Sequence, residues 1–247
     1  MPERFVIETQ GLTKHYASLV AVDHLDLTVE RGEIYGFLGP NGAGKTTTLL
    51  MLIGLTEPTA GEARVLGRDP SREPIRIKQQ VGYLQENMGF YRDLTARQML
   101  RFIAELNSIP AEQVEERIVS ALELVGLLDS ADKRIGNFSR GMRQRLGLAQ
   151  IILREPEIVF LDEPTLGLDP DGANRIIELI ESMRKERGMT VLLCSHDLYK
   201  VQKICHRVGI MAGGRLVLEA KTSELAPGGD KDALEELYLR YFQEDHS

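Results

Sequence analysis

Gly39-Pro40-Asn41-Gly42-Ala43-Gly44-Lys45-Thr46 fits the pattern G-x-x-x-x-G-K-[ST] in full. Glycines at this spacing let backbone N–H groups turn inward around the β- and γ-phosphates of a nucleotide. Lys45 adds a positive point charge, and the Thr46 hydroxyl suits a Mg²⁺ ion. Gly39 through Thr47 is therefore the candidate nucleotide-binding segment. Such a loop has to be presented by its neighbours. Ile34 to Leu38 is a compact apolar run that reads as a buried strand, and Lys45 to Ile53 reads as the start of a helix whose positive end faces the same anion.

A second constellation lies downstream. Ile158-Val159-Phe160-Leu161-Asp162-Glu163 is four apolar residues followed by two acids. A buried strand delivers such acids at its carboxyl end, where ligands bind in open α/β sheets. Asp162 suits the holding of Mg²⁺ through water, and Glu163 suits the orienting of an attacking water. A small GTPase would show an Asn-Lys-x-Asp motif, which the sequence lacks, and a small-molecule kinase rarely needs the adjacent acids.

The elements that must position these residues follow from periodicity. Val6, Leu12 and the alternating Leu25, Leu27 and Val29 predict short antiparallel strands in the first thirty residues. Further strands are expected at Ala63 to Leu66 and Val81 to Leu84, with a helix at Ile75 to Gln80. Thr95-Ala96-Arg97-Gln98 has capping-box spacing at the head of a helix reaching Leu106. Pro110 opens another helix, with Val114, Ile118, Ala121, Leu122 and Val125 on one side, and a third is expected from Arg140 to Arg154. This helical block, residues 87–154, reads as an insertion into an α/β core made of 1–86 and 155–225. Strands return at Ile158 to Leu161, Val191 to Cys194, Val208 to Met211 and Leu216 to Leu218, with helices at Pro170 to Arg187 and Leu198 to Cys205 between the first three. The alternation predicts a mostly parallel sheet. Residues 226–247 form a tail, with an amphipathic helix expected from Asp230 to Gln243.

Composition narrows the class. The 247 residues carry a net charge of −7, with 43% hydrophobic and 27% charged residues. An acidic balance argues against wrapping nucleic acid. Cys194 and Cys205 lack metal-ligand spacing and read as reduced thiols. No signal-peptide pattern follows Met1, and no apolar run is long enough to span a bilayer, so no membrane crossing is expected.

Taken together, these motifs resemble those of the ABC ATPases over nearly the whole chain. The resemblance implies a P-loop NTPase core with a mostly parallel sheet, an N-terminal antiparallel β subdomain and an inserted α-helical subdomain. Phe138-Ser139-Arg140-Gly141-Met142 resembles the family's signature loop, Leu-Ser-Gly-Gly-Gln. Ser139 and Gly141 match, while Phe138, Arg140 and Met142 depart from it. In the family this loop clasps the γ-phosphate held by the opposite subunit; taken alone, Ser139 also reads as a helix N-cap. Gly167-Leu168-Asp169-Pro170 resembles the loop that crosses the dimer interface, and Asp169 before Pro170 is also a sound N-cap. His196 resembles the switch histidine at the γ-phosphate, and Tyr16 the aromatic residue that stacks on adenine. The family places a Gln at the loop into the helical block, where it senses Mg²⁺ and the membrane partner. Counting places Glu86 there with Gln85 one residue earlier, and the choice between them stays open.

The resemblance implies ATP and Mg²⁺ as ligands and Lys45, Glu163 and His196 as the catalytic group. Two such domains, in a homodimer or a heterodimer, would sandwich two ATP molecules and drive a separate transmembrane permease at the cytoplasmic face of the membrane. The sequences around Thr46-Thr47-Thr48, Tyr83-Leu84 and Ser139 to Met142 most resemble prokaryotic exporter-type subunits, including antibiotic-resistance ones. Two other classes stand beside this reading. One is an ABC ATPase acting on nucleic acid or ribosomes; the other is a scaffold with a dead site, against which Glu163 and His196 speak.

Overall fold

The alternation of side chains along three short strands sets the architecture. In β3 (Ile34–Leu38), Ile34 and Leu38 pack to one side and Tyr35 and Phe37 to the other. In β6 (Ile158–Asp162), Val159 and Leu161 share the first side, and Ile158 and Phe160 the second. In β7 (Thr190–Ser195) the same division separates Val191 and Leu193 from Leu192 and Cys194. A period of two with both sets buried is the pattern of a strand covered on both faces. The computed structural model describes residues 4–86, 88–225 and 233–244.

The remaining elements cover those faces. A three-stranded antiparallel sheet has the order β2-β1-β4, from β1 (Phe5–Tyr16), β2 (Leu19–Glu30) and β4 (Ala60–Val65). With α1 (Lys45–Leu52) it closes the core around Tyr35, Phe37 and Phe160. The larger sheet has six strands in the order β5-β6-β7-β3-β8-β9, where β5 is Val81–Leu84, β8 Arg207–Ala212 and β9 Arg215–Lys221. Its first five strands are parallel, and β9 pairs antiparallel at the edge. The expected mostly parallel sheet is what the ladder shows.

Helices occupy the other face. After α2 (Pro74–Gln80) come α3 (Ala96–Leu106), α4 (Ala111–Leu124) and α5 (Arg140–Ile152), which share one core with α6 (Pro170–Arg187) and α7 (Leu198–Ile204). The capping box is formed as its spacing predicts. The Thr95 side chain accepts from Gln98 N at 3.2 Å, while Thr95 N donates to Gln98 Oε1 at 2.9 Å. Close packing of α7 on β3 needs a glycine: a Cβ on Gly36 would stand 2.5 Å from Val201 Cγ1. Two short helices end the described chain, α8 (Thr222–Leu225) and α9 (Ala233–Glu244). Leu234 is buried, and its N–H bonds Gln202 Oε1 at 3.1 Å.

Boundaries moved where pairing or caps intervene. The strand expected from Ala63 starts at Ala60, because β1 extends the ladder through Thr13↔Ala60. Helix α5 stops at Ile152, two residues before the expected Arg154. Asn87, where the expected helical block begins, and the residues from Asp230 to Asp232, which the expected tail helix included, lie outside the described residues.

Candidate active site

Each functional side chain is aimed by a backbone feature. The loop leaving β3 carries three glycines at positive φ, Gly39 at 149°, Gly42 at 82° and Gly44 at 104°. Two of them are also wedged against other chain segments. A Cβ on Gly39 would stand 2.3 Å from the Met211 carbonyl oxygen, and one on Gly44 would stand 2.3 Å from that of Ala21. The loop is therefore fixed by the strand ends around it, and only glycine fits at both places. Gly44 caps α1 by position. The N–H groups of that helix's first turn face the loop, which makes its concave side a cradle for an anion.

Lys45 is 6% exposed, and its ammonium donates to the carbonyl oxygens of Gly39 at 2.6 Å and Pro40 at 3.0 Å. The positive charge is thereby held over the loop. Thr46 Oγ1 donates to Asp162 Oδ2 at 2.8 Å, a contact between residues 116 apart in sequence. The link exists because β6 and β3 both flank β7, so their carboxyl ends lie at one edge of the sheet. Burial pushes the Asp162 carboxyl above its ordinary value; Glu163 and Glu86 push the same way, against the hydrogen bond from Thr46 and the charge of Lys45.

Glu163 follows directly, with φ 49°, a conformation uncommon for a non-glycine residue. Its N–H is tied to the Cys194 carbonyl at 3.0 Å. The side chain is buried, and Oε1 has no hydrogen-bond donor. His196 Nδ1 stands 2.9 Å from that oxygen, an ion-pair distance without hydrogen-bond alignment. A buried carboxylate oxygen with an unused lone pair, beside a half-exposed imidazole, can accept a proton or a water hydrogen.

A groove of about 310 Å³ joins Tyr16, Asn41, Gly42, Gly44 to Thr47, Glu86, Asp162 and Glu163. Ala43 is buried within the loop and contributes its carbonyl to Gly214 N at 3.2 Å. Tyr16 is 45% exposed, with the Lys14 ammonium 5.0 Å from its ring centre. Glu86 lines the groove; Gln85 is exposed and is not among the lining residues. Leu19 and Ala21, which sequence reasoning missed, also line it. Neither carried a sequence signal, since the exposure of Leu19 is visible only in the fold and Ala21 acts through its backbone oxygen.

Oxygens of Thr46 and Asp162 converge with Glu86 on the same groove, while no cluster of three or more His, Cys, Asp or Glu fit to hold a metal exists among the described residues. That donor set fits an ion held by one or two protein oxygens, water and phosphates, as Mg²⁺ is, and not an all-protein cage.

Ser139 and Gly141 are placed elsewhere. They line a second groove of about 430 Å³ with Arg140, Met142, Gly167, Leu168 and Asp169. Ser139 Oγ accepts from Met142 N at 3.2 Å and caps α5. Its hydroxyl keeps its own hydrogen to donate. The departures from the signature pattern have local reasons: Phe138 is buried in the helical core and Met142 packs against it. Arg140 lies over Gly167, where a Cβ would stand 2.5 Å from the guanidinium carbon. Asp169 holds the N-cap position of α6 with Pro170 next, but its side chain makes no cap bond; the carboxylate leans over Gly172 instead.

A family profile described as ABC transporter matches residues 22–166. The chain is 44% identical over 214 residues to the bacitracin transport ATP-binding protein BcrA of Bacillus licheniformis, covering 87% of this chain and 69% of that protein. It is 38% identical over 224 residues to the probable multidrug ABC transporter ATP-binding protein YbhF of Escherichia coli, covering 91% of this chain and 38% of that protein. Among solved structures, cbiO1 from Clostridium perfringens, part of the ABC transporter complex cbiONQ, superposes with a TM-score of 0.85 at 27% identity, covering 99% of this chain and 98% of that one.

Proposed function

The chain belongs to the ABC transporter family of ATP-binding proteins, and from that premise we propose that it is the ATP-hydrolysing subunit of an exporter whose permease is a separate polypeptide. The observation that carries the reading is the separation of the two grooves. One chain holds the phosphate loop, Asp162 and Glu163 together but keeps Ser139 and Gly141 in a groove of their own. Two copies, or this chain and a related one, complete each other when the Ser139 groove of one covers the phosphate loop of its partner.

In this reading residues 1–86 and 155–225 are the nucleotide core, 87–154 an inserted helical part and 226–247 a tail. The loop N–H groups and Lys45 hold the β- and γ-phosphates, and Tyr16 takes the adenine face. Thr46 and Asp162, with the Glu86 carboxylate rather than the Gln85 amide, would hold Mg²⁺, which screens the phosphate charge when bound. Glu163 orients and polarises the attacking water through its unpaired Oε1, and His196 steadies the charge beside it. Catalysis here is positioning and charge stabilisation. Closure on ATP and opening after hydrolysis is the stroke passed to the permease. No described helix is long and apolar enough to cross a membrane. In this reading the chain attaches to the cytoplasmic face through the permease.

The test is steady-state hydrolysis beside Glu163→Gln. Turnover should be abolished while ATP-dependent dimers persist in gel filtration; unchanged turnover removes Glu163 from its role. Pull-down from detergent-solubilised membranes should recover a multi-span partner. Recovery of ribosomes or nucleic acid instead would overturn the transport reading.

A further inference from the structure

The sheet also has a concave surface at its opposite end. A basin of about 620 Å³ opens at the amino ends of β3 and β8, between α6, the end of α7 and the start of α8. It lies five strand residues away from the phosphate loop, on the order of 16 Å along β3. The basin is therefore no part of the nucleotide groove, with which it shares no lining residue.

Its charge runs against that of the chain. Six cationic and three acidic side chains line the basin of a protein with net charge −7. Four of the cations, Arg31, Lys185, Arg207 and Lys221, each have a carboxylate partner. Arg184 and Lys203 have none among the described residues. Arg184 spends only its Nε, on the Gly32 carbonyl at 2.9 Å, which fixes the guanidinium and leaves its terminal N–H groups for another acceptor. Lys203 is exposed on the last turn of α7.

His206 supplies a third donor. Its Nδ1 accepts the Ile34 N–H at 3.1 Å, so the ring's proton sits on Nε2. Partial burial, and then the neighbouring Arg184, hold the ring below its ordinary pKa. The imidazole is thus a neutral N–H donor beside two uncompensated cations. A fixed guanidinium fork, a mobile ammonium and an N–H donor form a set that matches the several acceptor oxygens of a phosphate group.

We infer that this basin is a second anion site, which takes a phosphate-bearing small molecule or headgroup on Arg184, Lys203 and His206. It stands independently of the ATPase reading.

The test uses the full chain carrying Lys45→Ala, which removes the ammonium of the nucleotide site, titrated with inorganic phosphate by calorimetry at low ionic strength. One saturable site is expected, weakened about tenfold by adding Lys203→Gln and further by adding Arg184→Gln. Lys203→Gln should leave the melting temperature unchanged, since that side chain is exposed, and so separates loss of binding from loss of fold. In parallel, co-sedimentation is measured with phosphatidylcholine vesicles containing phosphatidic acid. Phosphate binding that depends on Lys203 marks a soluble ligand; vesicle binding that depends on Lys203 without a response to phosphate marks a headgroup. Binding to neither probe, or binding that Lys203→Gln leaves unchanged, overturns the inference.

Discussion

The two grooves are built from opposite materials. The phosphate groove is made of backbone: glycines at positive φ pressed against the carbonyls of Ala21 and Met211, a buried Lys45, and acids at the ends of buried strands. The Ser139 groove is made of exposed side chains at the start of α5, with the Arg140 guanidinium laid over Gly167. The first is rigid because almost every group in it is pinned by a strand; the second is held by long side chains that can move. A site that must cradle the same phosphates at every turnover needs preorganised dipoles. A surface proposed to meet and release a partner needs donors free to re-pair, and Ser139, Arg140 and Gly141 could supply them.

Substitutions can break this contrast in graded steps. The largest effect is expected for Gly44→Ala, which puts a Cβ at 2.3 Å from Ala21 O at a φ of 104°. ATP affinity should fall by more than about a hundredfold and stability by about 1–3 kcal/mol, as read by nucleotide titration and thermal melting. Normal affinity would mean that the loop is not pinned. Next comes Ser139→Ala. It should lower turnover about a hundredfold, leave ATP binding by the isolated chain within about twofold, and cost about 1 kcal/mol for the lost cap. An equal fall in monomer binding and turnover would erase the division between the grooves.

Smaller again is Arg140→Gly, which restores the family residue and lifts the guanidinium from Gly167. Turnover is expected to change by about threefold, within the scale of one charge-assisted contact, with monomer binding unaffected. The last effect concerns pH. Because burial raises the Asp162 carboxyl above its ordinary 3.8, its folded pKa exceeds its unfolded one. Its contribution is favourable at low pH and is lost as pH rises through the raised pKa. Asp162→Asn, without Mg²⁺ or nucleotide, should therefore melt about a degree or two higher than the wild type at pH 7 and show no such gain near pH 3. A variant that melts lower at pH 7 would show that Thr46 and Lys45 outweigh burial.

Much of this was legible in the sequence where the signal is local. The capping box at Thr95, the strand at Ile34–Leu38 and the helix at Pro170–Arg187 are set by neighbours within one turn or one strand. What escaped were contacts made through backbone or between distant segments. Ala21 carries no side-chain clue, because its oxygen does the work against Gly44. Asp169 looked like a side-chain cap, yet its carboxylate turned to Gly172. Glu86 and Gln85 were left open by counting, and of the two only Glu86 lines the groove.

The sequence by itself determined a phosphate loop, a pair of acids on a buried strand and the family resemblance those motifs carry. Local rules suffice for them, since a glycine pattern, an apolar run and a cap act over a few residues. Only the tertiary structure decided the strand order, which puts β7 between β3 and β6 and so brings Thr46 to 2.8 Å from Asp162 and His196 to 2.9 Å from Glu163. It alone also kept Ser139 out of that groove and gathered Arg184, Lys203 and His206 at the far end of the sheet. Pairings between strands far apart in the chain depend on how whole faces bury each other, and no local pattern encodes that choice.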